Sequence, residues 1–308
     1  MRIAHIWASS SLAVGSVLVL ELAWCQRPAK AAEQAPEQVQ QQSPDPQPDA
    51  LTPEQVLPAD SQQVVPAASE VLPPYKSPNL NPTQIPTAYV AEWGDYFVSG
   101  YVYGYEDGNG SSSLTTDGGV SVGVGFGSAR KLVAVEVDFN LESLANTNNG
   151  GTLDVRLGRE LISTHNFALQ LGAGWLGVAS YGTWPNAGGS PYGVITGAWA
   201  LRPDDPVFRQ TLQVNLGGGG GRFQRLDAVD LVSSGLIASV GVELAPNVGI
   251  SAGWAGRGLN ASLSYVPLRG VPLYLSLSGA NITSVDDTGR AVAFAITWGG
   301  SFRTATFP

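Results

Sequence analysis

Gly249-Ile250-Ser251-Ala252-Gly253 has the spacing of a G-x-S-x-G nucleophile elbow, the turn that presents a serine for acyl transfer. That elbow needs a strand, a sharp turn and a helix, whereas this match lies inside NVGISAGWAG, which alternates as a strand does. A serine nucleophile also needs a base within hydrogen-bond reach, and the one histidine beyond the N-terminal leader, His165, falls in a short polar turn, ISTHN. Metal chemistry has no better footing. There is no histidine or cysteine cluster, and the oxygen-rich stretches EDGNG and SVDDTG lack the spacing of a calcium loop, so Asp286 and Asp287 would hold calcium weakly at best. The glycines at 217–221 lack the strand-to-helix setting of a phosphate loop and read as a loop base or a bend in a wall. These residue types point away from an enzyme and call for no cofactor.

One constellation carries physical meaning. In LVAVEVDFNLE, residues 132–142, Val133, Val135, Val137, Phe139 and Leu141 share one parity, and Glu136, Asp138 and Asn140 the other. Successive side chains of a strand point to opposite faces, so this strand has a greasy face and an acidic one. The next strand, GTLDVRLGREL, adds Asp154 and Arg156 to the polar parity, and later strands add Gln170, Gln213, Asn215, Glu243 and Arg257. In a barrel these ten residues line the lumen. Glu136, Asp138, Asp154 and Arg156 would set a transverse field that biases which solutes pass, or would form a salt-bridge cluster that fills the interior.

The same alternation recurs in about twelve segments (range 10–14) between residue 89 and the C-terminus, each near the length a tilted membrane strand requires. Connections alternate between long (EDGNGSSSLTTD, SLANTNNGG, SYGTWPNAGGSP) and short or moderate (SARK, ISTHN, RPDDPVFR), a rhythm that lapses only at GRG. Outer-membrane barrels pair short periplasmic turns with longer external loops in this way. The inner parity is mostly Gly, Ala, Ser, Thr, Asn and Gln, unlike a sandwich core, and Trp175, Trp254, Tyr265 and Trp298 lie toward strand ends on the apolar parity, as interfacial aromatics do. The fold class is therefore all-β, an antiparallel up-and-down transmembrane β-barrel. Near the C-terminus, the pair Gly299-Gly300 implies either a bent last strand or a separate segment from Ser301 to Phe307.

Residues 1–31 read as a cleaved signal peptide: Arg2, an apolar run from Leu12 to Leu20 too short to span a bilayer, and an A-x-A site at Ala29-Lys30-Ala31. Cleavage there removes Cys25, the one cysteine, which rules out disulfides and thiol chemistry in the remainder. Residues 32–87 hold 12 of the 21 prolines and seven acidic residues against Lys76 alone, so they form a disordered Pro/Gln-rich periplasmic linker. Residues 88–308 form the barrel domain, whose 17 acidic and 12 basic residues make no basic patch for nucleic acid.

The junction PTAYVAEWGDYFVSGYVYG, with Ala91, Trp93, Gly94, Asp95, Phe97 and Gly100, and the stretch Asp117 to Lys131 resemble a group of uncharacterised exported proteins of cyanobacteria that have a proline-rich leader. The resemblance covers about a fifth of the chain and implies an envelope address, with no functional residues to carry over. Together these features predict a non-enzymatic outer-membrane barrel of a Gram-negative-type cell, most simply a porin-like channel for small solutes. The expected surroundings are outer-membrane lipid, solutes in the lumen, and peptidoglycan or periplasmic proteins along the linker. A structural or adhesive barrel with a closed lumen and a soluble exported β-sandwich that binds a ligand are the alternatives. An inner lining of small residues favours open volume over a plugged core; the alternative is that the proline-rich leader itself enters the lumen, although it is too polar to form a plug domain of its own.

Overall fold

The computed structural model describes residues 76–106, 114–145, 150–182, 189–205, 207–224, 235–283 and 290–303. Among the described residues twelve antiparallel strands follow one another: β1 (Asp95–Glu106), β2 (Leu114–Gly127), β3 (Ala134–Leu141), β4 (Gly151–Ser163), β5 (Phe167–Tyr181), β6 (Ser190–Ala200), β7 (Thr211–Gly219), β8 (Leu236–Ala245), β9 (Val248–Ala255), β10 (Leu259–Tyr265), β11 (Leu273–Ala280) and β12 (Ala291–Ser301). Each pairs with its sequence neighbours, and β1 pairs with β12 from Asp95↔Ser301 to Tyr105↔Ala291, so the sheet closes. Closure leaves no unpaired edge, a requirement for strands that cross lipid. The β8–β9 and β4–β5 turns mark one mouth, the short-turn mouth; the strand ends Glu106, Leu141, Tyr181, Gly219 and Ala280 mark the other, the long-loop mouth, together with the brief 256–258 turn.

Alternation decides which face each residue takes. β3 and β12 alternate almost perfectly between buried and more exposed positions. Val98, Val122, Ile195, Leu216, Val240 and Ile296 stand exposed on the outer wall. Apolar exposure on this scale around a whole barrel is an interface with a nonpolar phase. Aromatics mark both ends of this band. Trp93, Phe126, Trp199, Tyr265 and Trp298 lie near the short-turn mouth and Trp175 and Tyr181 toward the other, all exposed, while Trp254 is half-buried.

β12 runs through Gly299 and Gly300 to Ser301 without becoming a separate segment. Tyr96, opposite Gly300, fills the space a side chain would take there, and its ring stacks on Phe302 at 4.6 Å. Phe307 lies outside the described residues, as do Asp286, Asp287 and most of the leader. β5 carries a bulge where Gly177, at φ +67°, donates its N–H to Asp154 at 2.6 Å, and the bulge turns Leu176 inward. Gly217–Gly219 belong to β7, and the next residues fold inward as a 3-10 turn (Gly221–Phe223) that buries Phe223.

The interior differs from an open pore in two ways. On β1 the inner parity is aromatic: Phe97, Tyr101 and Tyr103 are buried over Ala291, Ala293 and Ala295. Elsewhere the lumen is occupied by the chain's own residues 79–92. Residues 79–87, expected within a disordered linker, belong to this lumen segment, and the small lining that favoured open volume is what accommodates it. The expectation of open volume is thus corrected in favour of its alternative, entry of the leader into the lumen, for residues 79–87.

Candidate functional site: the occupied lumen

The inner segment is a re-entrant hairpin. Its outgoing limb starts near the short-turn mouth, where the Asn79 carbonyl accepts from Ser264 Oγ at the end of β10 (2.6 Å). Asn81 Oδ1 then accepts from Asn215 Nδ2 (2.9 Å) and Ser239 Oγ (3.2 Å), and the Thr83 N–H donates to Ser262 Oγ (3.0 Å). The chain reverses at Pro82–Ile85, with the Ile85 N–H donating to the Pro82 carbonyl and Gln84 at φ +66°. That is a type II arrangement, whose third position normally takes glycine. Ile85 is buried in a cluster with Leu176, Tyr192, Val194, Phe223, Ile237 and Ala255.

The return limb runs back to the same mouth. The Ala88 N–H donates to Thr196 Oγ1 (2.8 Å), the Ala91 N–H to Glu136 Oε2 (2.5 Å), and Val90 packs on Ala129 and Ala134. Glu92 accepts from the Ala129 N–H and the Trp93 N–H donates to the Gly127 carbonyl, after which β1 begins. Room for both limbs comes from glycines on separate strands. A Cβ on Gly172 would stand 2.5 Å from Ala88 Cα, one on Gly158 2.7 Å from the Ala88 carbonyl oxygen, and one on Gly253 2.6 Å from Ile85 Cδ1; one on Gly241 would overlap the Leu80 carbonyl.

Nine of the ten polar residues singled out in the sequence are buried: Glu136, Asp138, Asn140, Asp154, Arg156, Gln170, Gln213, Asn215 and Glu243. Arg257 is the exception. It is half-buried in the 256–258 turn at the long-loop mouth, where its Nε donates to the Gln224 carbonyl. The structure brings five of them into one cluster on β3 and β4. Arg156 Nε lies 3.3 Å from Asp138 Oδ2 and 3.8 Å from Glu136 Oε1, and Asn140 Nδ2 donates to Asp154 Oδ2 at 3.1 Å. The register Glu136↔Arg156 and Asp138↔Asp154 across the strand pair makes this neighbourhood inevitable once the strands pair. Asn215 belongs to a second group, accepting from Thr196 Oγ1 (2.7 Å) and donating to Asn81 and Ser239. Glu243 accepts from the Thr211 N–H (2.7 Å) nearer the short-turn mouth.

Beside the return limb a cavity of about 110 Å³ remains, lined by Tyr89, Glu92, Arg130, Gln170, Trp199 and Arg209. Ser251 is buried in the middle of β9, so the G-x-S-x-G match forms no elbow. His165 is exposed in the β4–β5 turn, with Nε2 3.3 Å from Asp204 Oδ1. Among the described residues no group of three or more His, Cys, Asp or Glu is placed to hold a metal ion.

Sequence reasoning allowed the leader to enter the lumen but missed the hairpin Asn79–Glu92, Thr196 and the aromatic inner face of β1. Alternation within YFVSGYVYGY could have revealed the last of these, since Phe97, Tyr101, Tyr103 and Tyr105 share a parity.

No family model matches the chain, and no curated protein does. Among solved structures it is similar to the KdgM porin (8% identity over 66% of this chain and 98% of that chain, TM-score 0.39). It is also similar to the NanC porin (7%, 66% and 98%, TM-score 0.41) and to an outer membrane channel from Pseudomonas putida F1 (9%, 72% and 100%, TM-score 0.41). Likeness this distant carries no weight for function, which rests on the wall's own residues.

Proposed function

We propose that this chain is a non-enzymatic outer-membrane β-barrel of a Gram-negative-type envelope, acting as a channel-like protein for small polar solutes. The observation that carries the reading is the closed twelve-stranded wall with exposed valines, leucines and isoleucines outside and carboxylate, amide and hydroxyl groups inside. Lipid satisfies the first face and a polar path the second. In this reading the signal peptide ends near Ala31, the short-turn mouth is periplasmic, and the leader upstream of residue 76 tethers the barrel toward peptidoglycan or periplasmic proteins. The envelope address agrees with the resemblance to exported cyanobacterial proteins. Glu136, Asp138 and Arg156, buried beneath the hairpin, bias the charge of what passes when the hairpin leaves the lumen.

The hairpin favours a second reading, a structural barrel with a permanently closed lumen. Two measurements on detergent-extracted protein separate them. A mobility shift on boiling identifies a detergent-stable barrel, and planar-bilayer recording identifies a channel, whose cation preference falls in Glu136→Gln/Asp138→Asn. A barrel that shifts on boiling yet never conducts is the structural protein. Water-soluble protein with no shift would sink both readings.

A further inference from the structure

We propose that the inner wall of this barrel is a binding site for an extended, proline-flanked polypeptide, filled in cis by Asn79–Glu92, and that release of this hairpin opens the lumen. The second half of the proposal rests on the channel reading above; the first does not. The hairpin is held as a ligand is held. It adds no strand to the sheet, and most of its anchors are hydrogen bonds between its backbone or Asn81 and the wall side chains Ser264, Asn215, Ser239, Ser262, Thr196 and Glu136, with Glu92 held by the Ala129 N–H at the mouth. Those donors and acceptors fall on β10, β7, β8, β6 and β3, so they follow the hairpin around the wall rather than one strand pair. Gly125, Gly158, Gly172 and Gly241, on β2, β4, β5 and β8, each stand where a Cβ would strike hairpin backbone, so they clear a path as wide as a backbone.

Release is chemically simple. The hydrogen-bonded anchors are polar bonds that water replaces, and the apolar burial that release must give up lies in Leu80, Ile85, Ala88, Tyr89 and Val90. Both limbs reach the short-turn mouth, so withdrawal does not require threading the chain through the barrel. The left-handed Gln84 at the tip adds strain that withdrawal relieves.

The test uses the full-length chain with Cys25→Ser and a reporter, Ala134→Cys, which lies under Val90 and makes none of the anchoring bonds. The rate of labelling by a water-soluble maleimide reads how often the hairpin leaves. Asn81→Ala/Ala91→Pro changes only the hairpin, removing the bonds to Asn215, Ser239 and Glu136, and is expected to raise the rate about tenfold or more. An excess of synthetic peptide with the sequence of residues 78–92 should return it to the starting rate, because the wall is intact. Gly241→Val changes the wall instead; labelling should be fast and the peptide should fail to protect. If the double variant gives no boiling-shifted band, Thr83→Pro replaces it. Proline suits the second position of this turn but lacks the N–H given to Ser262, and the expected increase is about threefold.

A rate that neither variant raises, or a raised rate that the peptide does not lower, overturns the proposal. Conductance recorded in parallel separates the two ideas. Fast, peptide-protected labelling without conductance leaves the binding site standing and removes the channel. Steady conductance of the intact chain, with labelling indifferent to variant and peptide, does the reverse.

Discussion

Arg156 is the residue on which the lumen's electrostatics turn. Its side chain and those of Asp138 and Glu136 are almost wholly buried, and the Ala91 N–H covers the remaining Glu136 oxygen. Removing one partner of a buried pair leaves charge that neither water nor protein compensates, a loss of about 3–5 kcal/mol. Arg156→Met is therefore expected to lower unfolding stability in detergent by about that amount, read from the urea midpoint. Adding Asp138→Asn should recover part of the loss, since it removes one of the stranded charges, and the double-variant cycle measures the coupling. A loss below about 1 kcal/mol would mean that water reaches the cluster and that the hairpin does not seal it. The neighbourhood of these residues was readable from strand parity and register. Their burial was not, because the cover comes from residues 88–92, which carry no alternation.

At the scale of elements, strands were legible and the hairpin was not, for a physical reason. A strand in a two-faced wall writes its environment into every second residue, as β3 does from Ala134 to Leu141. The hairpin NLNPTQIPTAYVAE has no regular face, and its fit is encoded in Gly158, Gly172, Gly241 and Gly253, dispersed over four strands. Gln84→Val places a β-branched residue at a left-handed φ, which costs on the order of 1 kcal/mol, so maleimide labelling at Ala134→Cys should rise about fivefold while the boiling shift is kept. Unchanged labelling would show that the turn relaxes freely. At the closing seam, Gly300→Val displaces Tyr96 from β12 and from its stack on Phe302. Because β1–β12 pairing is what makes the sheet a barrel, the temperature at which the boiling shift appears should fall, whereas Gly299→Ala, which meets nothing closer than 3.9 Å, should leave it in place.

For the whole molecule, the decisive quantity is the medium outside the wall. Val240 is 48% exposed in the middle of β8, and Leu132 is 69% exposed in the turn between β2 and β3. In water both are surface residues, and an arginine at either would change stability little. In a bilayer the two positions differ. A charge at mid-depth on the lipid face costs about 2–4 kcal/mol, while one near the headgroups costs about 0–1 kcal/mol because a long side chain reaches water. Reversible urea unfolding in phospholipid vesicles should therefore show Val240→Arg strongly destabilised and Leu132→Arg close to the parent. Serine at the same two positions controls for lost apolar area. Ser121→Ala on the inner face supplies a third reference: it removes one hydrogen bond to Asn140 and leaves the lipid face untouched, so its loss should stay near 1 kcal/mol in vesicles and in detergent alike. Equal losses for the two arginines would mean that the exposed valines meet protein or water rather than lipid. A depth-dependent loss ties the parity of single residues to the membrane position of the closed barrel.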